Sequence, residues 1–290
     1  MTIYKVQKIS NYDFSIYHAV YNQKNIFLSY DWNEHLEKFF PNDNGYLVVK
    51  DGTAIGGVTI NKKHISAPFL IPPFCDELEF WRELLNLLYH SESTLFLDFI
   101  SNDHSRALNE LGAVKKRGQR RMLRPTSKSD VLLSDDFYIA KPAIEDRDEI
   151  VKTVYQAHLH GYTTTVDGVP DINDFAEAVD RRFVSFSQTN TLHFGTIIKM
   201  KDSNRITAVC LAGIYPDSAN HFSTIYQVSV IPQYRRKGLA KAMILNSINT
   251  AYKVSPVIGL GVMVGNPAEL LYNEIGFISG CEYYDLTYTK

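Results

Sequence analysis

The chain has 290 residues and a formal net charge of −2, and its sequence is 45% hydrophobic and 12% aromatic. This length fits one large domain or two medium domains, with two favoured. The apolar content excludes a disordered chain, and the balanced charge excludes a general polyanion-binding protein.

Cysteine usage and the N-terminal sequence predict a soluble cytoplasmic protein. Cys75, Cys210 and Cys281 are widely spaced and show no CxxC or Cys/His metal pattern, so we expect reduced thiols and no metal site. The first residues lack the layout of a signal peptide, and no apolar stretch is long enough to span a bilayer. We therefore expect no membrane partner.

The first half of the chain alternates strand-like and helix-like segments. A hairpin (45–51 and 53–63) and a strand (64–73) are followed by a helix (75–89), a strand (93–101) and a helix (102–112). The segment KKRGQRRMLR (115–124) holds six cations but no aromatic residue for base stacking. A nucleic-acid patch is one interpretation; a solvated hairpin, without a nucleic-acid partner, is the one we adopt.

A polar segment opened by a proline, PTSKSDVLLSDD (125–136), has the composition of a linker. We therefore predict domains at 1–125 and 137–290, joined by a linker at 126–136. The second domain is predicted to contain, in order, these strands and helices: strand 137–143, helix 145–162, helix 171–187, strands 192–200, 205–216 and 221–232, helix 238–252, strand 256–264, helix 267–276 and strand 281–289.

The two halves repeat one order of elements. Residues 70–89 align without gaps on 230–249, and residues 102–114 align on 266–278. An internal duplication accounts for this, and the alternative is two unrelated α/β halves with generic patterning. The predicted fold class is α/β (α+β), with two similar domains.

A basic loop, VIPQYRRKGLAKAM (230–243), stands where a predicted helix begins. Its single glycine, Gly238, lies among four cations, Arg235, Arg236, Lys237 and Lys241. A helix start offers unpaired amides and a positive dipole end, so each cation there costs about 0.3–1 kcal/mol. An external diphosphate explains the arrangement, because it would offset that repulsion. The alternative is a solvated basic turn.

A second motif, NPAELLYNEIGF (266–277), follows the next strand. Together, VxVxPxYRRKGLA and NPAxxLYxxxGF resemble the GNAT superfamily of N-acetyltransferases. Arg235, Gly238 and Ala240 match its acyl-CoA pyrophosphate signature, [QR]xxGx[GA]. The resemblance covers residues 137–290 directly and 1–124 through the duplication. It implies two GNAT-like domains, each a mixed, mostly antiparallel sheet flanked by helices.

The resemblance also implies a site for acetyl-CoA as the acyl donor. The fourth and fifth strands would diverge, and the pantetheine arm would bind the main chain of the fourth, at Gln227, Val228 and Val230. Asn266 would contact pantetheine or position the motif, and Ala268 and Leu271 would line its channel. The pyrophosphate would bind the loop amides of Arg235, Arg236, Lys237, Gly238, Leu239 and Ala240.

Tyr272 is the predicted catalytic residue. Its phenol, with an ordinary pKa near 10, would protonate the departing thiolate, whose ordinary pKa is about 8.5. The alternative is an aromatic side chain that only packs on a helix. A general base is harder to identify, because the fourth strand lacks the Glu common in the family; His221, Tyr226 and Asp217 are the nearest options.

The acceptor end of the cleft is expected around residues 158–174. His158 and His160 are two residues apart and make a poor metal pair. Three acids of this stretch either attract a cationic amine or are solvated: Asp167, Asp171 and Asp174.

The alignment predicts that the first domain is degenerate. Cys75-Asp76-Glu77-Leu78 replaces the loop residues 235–238, and Leu108 replaces Tyr272. The first half would keep the scaffold, lose both the anion site and the phenol, and help to form the acceptor pocket.

We therefore predict an N-acetyltransferase that moves the acetyl group of acetyl-CoA to a primary amine of a small-molecule acceptor by direct attack. A non-catalytic acyl-CoA sensor is the alternative, and an enzyme acting on nucleotide phosphates is a third hypothesis. The sequence predicts neither the acceptor nor the oligomeric state.

Overall fold

A computed structural model describes residues 2–22, 44–89, 94–161, 168, 170–216 and 221–289. The chain forms two compact units, and neither boundary lies in the predicted linker. The first unit contains Met1–Arg120 together with Gly280–Lys290, and the second contains Arg121–Ser279. The domain limits that we expect from the sequence (1–125 and 137–290) stay a prediction; the first compact unit also includes the last residues of the chain.

The first unit holds a mixed sheet with the strand order β1-β2-β3-β4-β5-β12. Its strands are β1 (Tyr4–Lys8), β2 (Gly45–Lys50), β3 (Thr53–Asn61), β4 (His64–Leu70), β5 (Leu95–Ser101) and most of β12 (Ile278–Tyr288). Its described helices are α1 (Asn11–Tyr21), α2 (Glu77–Leu88) and α3 (Asn102–Glu110). The pair β4–β5 is parallel, and β12 joins β5 in antiparallel orientation.

The core of the first unit forms under α2. Phe80, Trp81, Leu84 and Leu85 recur at the spacing of one helix face, and all four are buried. They pack in one cluster with apolar residues of β3 to β5. The sheet and α2 therefore hold each other through a shared apolar layer.

The second unit holds a mixed sheet with the strand order β6-β11-β10-β9-β8-β7. Its strands are the end of β6 (Val114–Pro125), β7 (Phe137–Ala140), β8 (Thr196–Met200), β9 (Ile206–Ile214), β10 (Ser223–Val230) and β11 (Val257–Met263). Its described helices are α4 (Arg147–His158), α5 (Ile172–Gln188), α6 (Leu239–Ala251) and α7 (Ala268–Glu274). Here β10–β11 is the parallel pair.

The strand β9 separates two apolar layers, which explains its continuous hydrophobic sequence. Ala208, Cys210 and Ala212 belong to the core beneath α6 and α7. Val209 and Leu211, which alternate with them, belong to the core beneath α4 and α5. We call the side of this sheet that α6 and α7 cover the α6 face, and the side that α4 and α5 cover the α5 face.

The predicted mixed, mostly antiparallel sheets flanked by helices are confirmed. The solvated hairpin expected at 115–124 is wrong, because these residues form the single strand β6. Two of its cations form ion pairs in the first unit: Arg117 lies 3.3 Å from Asp285 of β12, and Arg120 is bonded to Glu282. Among the described helices, none combines the length and the hydrophobicity that crossing a bilayer requires.

Candidate active site

The strands β10 and β11 part in the middle of β10. They pair only where Ser223–Ile225 faces Ile258–Leu260. At the same point the register of β10 against β9 shifts between Ile225 and Gln227, so Tyr226 is a bulged residue. Beyond it, the edge of β10 that faces away from β9 has no strand partner among the described residues. The split lies where the GNAT resemblance places the pantetheine cleft.

The predicted residues of the fourth strand line this split. Val228 and Val230 are half-buried and pack against the core of the α6 face. The side-chain amide of Gln227 donates to the hydroxyl of Ser229 at 2.7 Å, so this amide is already engaged within the strand. The strand therefore offers backbone donors and acceptors rather than side chains.

The loop after β10 opens onto the start of α6. A short 3-10 turn, Pro232–Tyr234, follows the strand, and Arg236 then adopts a positive φ of 63°. Gly238 is the N-cap of α6 with a φ of 78°, no side-chain cap, and no atom within 4 Å of the place where a Cβ would stand. The first helical bond runs from the Ala242 amide to the Gly238 carbonyl at 3.0 Å.

The amides at this helix start are available to an anion. Between Arg236 and Lys241, no main-chain amide has an acceptor within the described residues. Leu239 is buried and Ala240 is half-buried, so their side chains anchor the first turn. Unpaired amides and the positive end of the helix dipole are the two features with which helix starts bind anions.

Arg235 is engaged by the protein itself. Its guanidinium donates to the carbonyls of Ala157 at 2.7 Å, His160 at 2.9 Å and Val230 at 3.2 Å. Its amide donates to the carbonyl of Pro232 at 3.2 Å. Neither group is therefore directed at a ligand, contrary to the expectation that the Arg235 amide binds pyrophosphate. Arg235 instead ties the loop to the end of α4, where a cation is favourable.

The other three cations differ in how far they are engaged. Lys241 forms an exposed ion pair with Glu274 of α7 at 2.5 Å. Lys237 lies over the rings of Phe137 and Tyr234, with its nitrogen 5.9 Å and 5.8 Å from their centres. Arg236 has no ion pair within the described part of the chain. The positive charge available beside Gly238 therefore comes from Arg236 and Lys237.

The motif 266–277 forms the second wall as α7. The side-chain oxygen of Asn266 accepts from the Ala268 amide at 3.0 Å, so Asn266 positions the start of the helix. Ala268 and Leu271 are half-buried and pack against the core of the α6 face. The positioning role expected for Asn266 is the one that its geometry supports.

Tyr272 is only 7% exposed and lies in the core of the α6 face. Burial, followed by the nearby thiol of Cys210, raises the pKa of Tyr272 to about 12. Burial likewise raises the pKa of Cys210 to about 12, and its sulfur lies 3.4 Å from the hydroxyl of Ser247. The phenol is therefore protonated at neutral pH.

The remaining candidates are dispersed. His221 is exposed and lines a cavity of about 290 Å³ with Thr189 and Tyr215. Asp171 and Asp174 form the capping box of α5, which gives both acids a structural role. Asp167 and Asp217 lie outside the described residues.

Residues near the bulge that sequence reasoning missed come from α5. The guanidinium carbon of Arg182 lies 3.6 Å from the centre of the Tyr226 ring and 5.5 Å from that of Tyr215. Two adjacent arginines on one helix are the only signal in the sequence, and the signal does not show which of them faces the sheet.

Residues 158–277 match the model of the acetyltransferase (GNAT) family. This part of the chain is therefore similar to GNAT acetyltransferases. The match spans the loop at Gly238 and the motif that carries Tyr272. No curated protein matches this sequence.

Solved structures show the same fold over both halves of the chain. A GCN5-related N-acetyltransferase from Sphaerobacter thermophilus is 15% identical with a TM-score of 0.65, covering 98% of this chain and 95% of that one. A GNAT-family acetyltransferase from Colwellia psychrerythraea is 14% identical with a TM-score of 0.56, covering 98% and 100%. A tandem GNAT protein from the clavulanic acid biosynthesis pathway is 10% identical with a TM-score of 0.55, covering 99% and 98%. The predicted tandem GNAT fold is confirmed.

Proposed function

We propose that the second unit is an acetyl-CoA-dependent N-acetyltransferase that acts on the primary amine of a small-molecule acceptor by direct attack. One observation carries the proposal: the bulge at Tyr226, the unpaired edge up to Val230 and the open helix start at Gly238 follow one another in the chain. An acyl-CoA has matching parts in the same order, a thioester, an arm of amides and a diphosphate.

The residues fit that ligand by type. The main chain of Gln227–Val230 would bind the arm, and Asn266, Ala268 and Leu271 would form the facing wall. The amides from Arg236 to Ala240 would bind the diphosphate, supported by the charges of Arg236 and Lys237. Arg235 is a positioning residue in this scheme, because its donors already bind main-chain carbonyls.

Acetyl-CoA supplies a thioester, and Tyr272 donates a proton to the sulfur that leaves it. With its pKa near 12, Tyr272 is in the protonated form that a general acid requires. Burial that raises the pKa of Tyr272 also makes it a weaker acid than a phenol in water. The transfer would therefore be favoured by a cleft that desolvates the departing thiolate and so raises its pKa as well.

The proton of the attacking amine is assigned to water. The strand β10, STIYQVSV, carries no carboxylate, and Tyr226 at the bulge is covered by Arg182. The same lack of a carboxylate favours the alternative function, a sensor that binds acyl-CoA without turnover.

Thiol release from acetyl-CoA across a panel of amines tests the proposal. We expect Tyr272→Phe to lower kcat by about 10²–10⁴-fold, the usual contribution of a general acid. It should leave the rise in melting temperature with saturating acetyl-CoA unchanged. The control is Tyr155→Phe, since Tyr155 of α4 packs on Phe175 of α5 and has no role in the site.

The outcomes separate the two functions. A rise in melting temperature without thiol release for any amine would favour the sensor. An unmoved melting temperature at saturating acetyl-CoA would contradict both functions.

A further inference from the structure

The α5 face of the split is the open side from which an acceptor can approach. The α6 face is filled, because Ile225, Leu239 and Tyr272 belong to one packed core. On β11, Ile258 and Leu260 point into that core, so Gly259 between them faces the α5 side. Side chains on the α5 face should therefore determine which amines bind.

Arg182 of α5 lies on this face, directly beside the bulge. It stacks on Tyr226 at 3.6 Å and lies 5.5 Å from the centre of the Tyr215 ring. Tyr226 is 40% exposed, so this stack lies at the open side of the sheet rather than within the core. A guanidinium stacked on a ring keeps its N–H edge directed outward.

No described carboxylate neutralises Arg182. The nearest acids along α5 are engaged elsewhere: Asp180 is bonded to Arg147 at 2.7 Å, and Glu177 lies 3.4 Å from Arg181. The Nε atom of Arg182 is buried and has no hydrogen-bond acceptor within the described ranges. With Nε enclosed by the protein, the terminal N–H groups of the guanidinium are the ones that a ligand would meet.

A second arginine reinforces the positive potential of the α5 face. A guanidinium nitrogen of Arg121, at the end of β6, lies 3.4 Å from the place where a Cβ of Gly259 would stand. Burial raises the pKa of the Tyr215 phenol, and the charges of Arg182 and Arg121 partly offset that rise. Both arginines therefore act on the same volume of space.

We propose that the acceptor is an amine that also carries an anionic group, a carboxylate or a phosphate, and that Arg182 binds this group with Arg121 beside it. The inference rests on the proposed function, since it names the acceptor of that site. Arginine suits carboxylates and phosphates because its N–H groups bind them in parallel pairs. A polyamine would meet two like charges here, and Asp171 and Asp174 are occupied in the α5 capping box.

Binding to the CoA complex tests the proposal without requiring turnover. Titration calorimetry would compare anionic amines with neutral-tailed partners: glycine with glycinamide, β-alanine with β-alaninamide, and glucosamine 6-phosphate with glucosamine, each with and without saturating CoA. We expect at least one anionic member to bind about 10–100-fold more tightly than its partner, the range for a hydrogen bond to a charged group. The pair that shows this preference distinguishes a carboxylate from a phosphate.

Substitutions assign the preference to a residue. Arg182→Gln should abolish it, and Arg182→Lys should keep part of it. Arg181→Gln, at the adjacent arginine paired with Glu177, should keep all of it. Equal or tighter binding of the neutral partner in every pair, a preference that survives Arg182→Gln, or no binding of any amine would overturn the inference.

The proposed function fails separately. A protein that binds an anionic amine through Arg182 but never releases thiol from acetyl-CoA contradicts the proposed function, while it supports the part of the inference that assigns the anionic group to Arg182. A protein that acetylates only neutral or cationic amines supports the proposed function and contradicts this inference.

Discussion

The two units begin their aligned helices in opposite ways. In the first unit, Asp76 is the N-cap of α2, and its carboxylate accepts from the Glu79 amide at 2.8 Å. In the second unit, Gly238 is the N-cap of α6 and offers no side chain, so the first amides stay open. One unit thus closes its helix start with its own carboxylate, whereas the other leaves the first amides without a side-chain cap.

The split between parallel strands is common to both units. In the first, β4 pairs with β5 only where His64–Ser66 faces Phe96–Asp98, as β10 pairs with β11 over three residues in the second. The split is therefore a property of the scaffold and does not by itself make a site. What distinguishes the units is the chemistry beside it.

The cavity next to α2 shows this chemistry. It measures about 470 Å³, and its lining includes Asp76, Glu77, Asp103 and Glu110 with a single cation, Arg106. Four carboxylates repel a diphosphate. The first unit therefore keeps the split between parallel strands but places acids beside it, which supports the prediction that it is degenerate.

The largest effect on acetyl-CoA binding is expected when Gly238 of the second unit is replaced by the leucine that stands at the aligned position of the first unit. Gly238→Leu copies Leu78, and the new side chain would stand where the open amides meet the anion, at a φ of 78°. We expect the Kd for acetyl-CoA, measured by calorimetry, to rise on the order of 100-fold, about 2.7 kcal/mol. The strain of a left-handed leucine costs about 1–2 kcal/mol of folding stability in addition.

A matched glycine separates strain from binding. Gly112 in the first unit has a φ of 94° and, like Gly238, nothing within 4 Å of a Cβ position. Gly112→Leu should lose similar stability and keep the affinity for acetyl-CoA. Equal losses of affinity in both variants, or wild-type affinity in Gly238→Leu, would break the comparison between the units.

The smallest effect is expected in the first unit. Asp76→Ala removes the N-cap of α2 and should cost about 1 kcal/mol of folding free energy. In a melting scan this corresponds to a fall of about 2–4 °C, with the affinity for acetyl-CoA unchanged. Asp76→Asn should restore the stability, because asparagine caps as well as aspartate. A change in acetyl-CoA affinity would show that the first unit takes part in binding the coenzyme.

Local patterns carried much of the prediction. The loop around Gly238 and the motif around Tyr272 could be predicted because glycine, proline and cations affect the conformation and charge of the few residues next to them. The order of strands and helices is readable because apolar spacing follows from each element alone. The strand β1 and the helix α1 at the start of the chain were not predicted.

Contacts between distant segments account for the rest. Arg235 binds the Ala157 carbonyl, 78 positions away, so its spacing in the motif does not reveal that its donors are used. The cations of 115–124 form a strand because Asp285 and Glu282 pair with Arg117 and Arg120. Arg182 reaches Tyr226 only through the packing of α5 on the sheet.

Hydrogen exchange of backbone amides, measured with and without saturating CoA, tests the central claim most directly. The open amides of residues 236–241 should gain protection when the diphosphate binds them. The capped start of α2, residues 76–81, should exchange at the same rate in both states. Unchanged exchange at 236–241 while CoA binds would contradict the account, because the anion would then be held elsewhere.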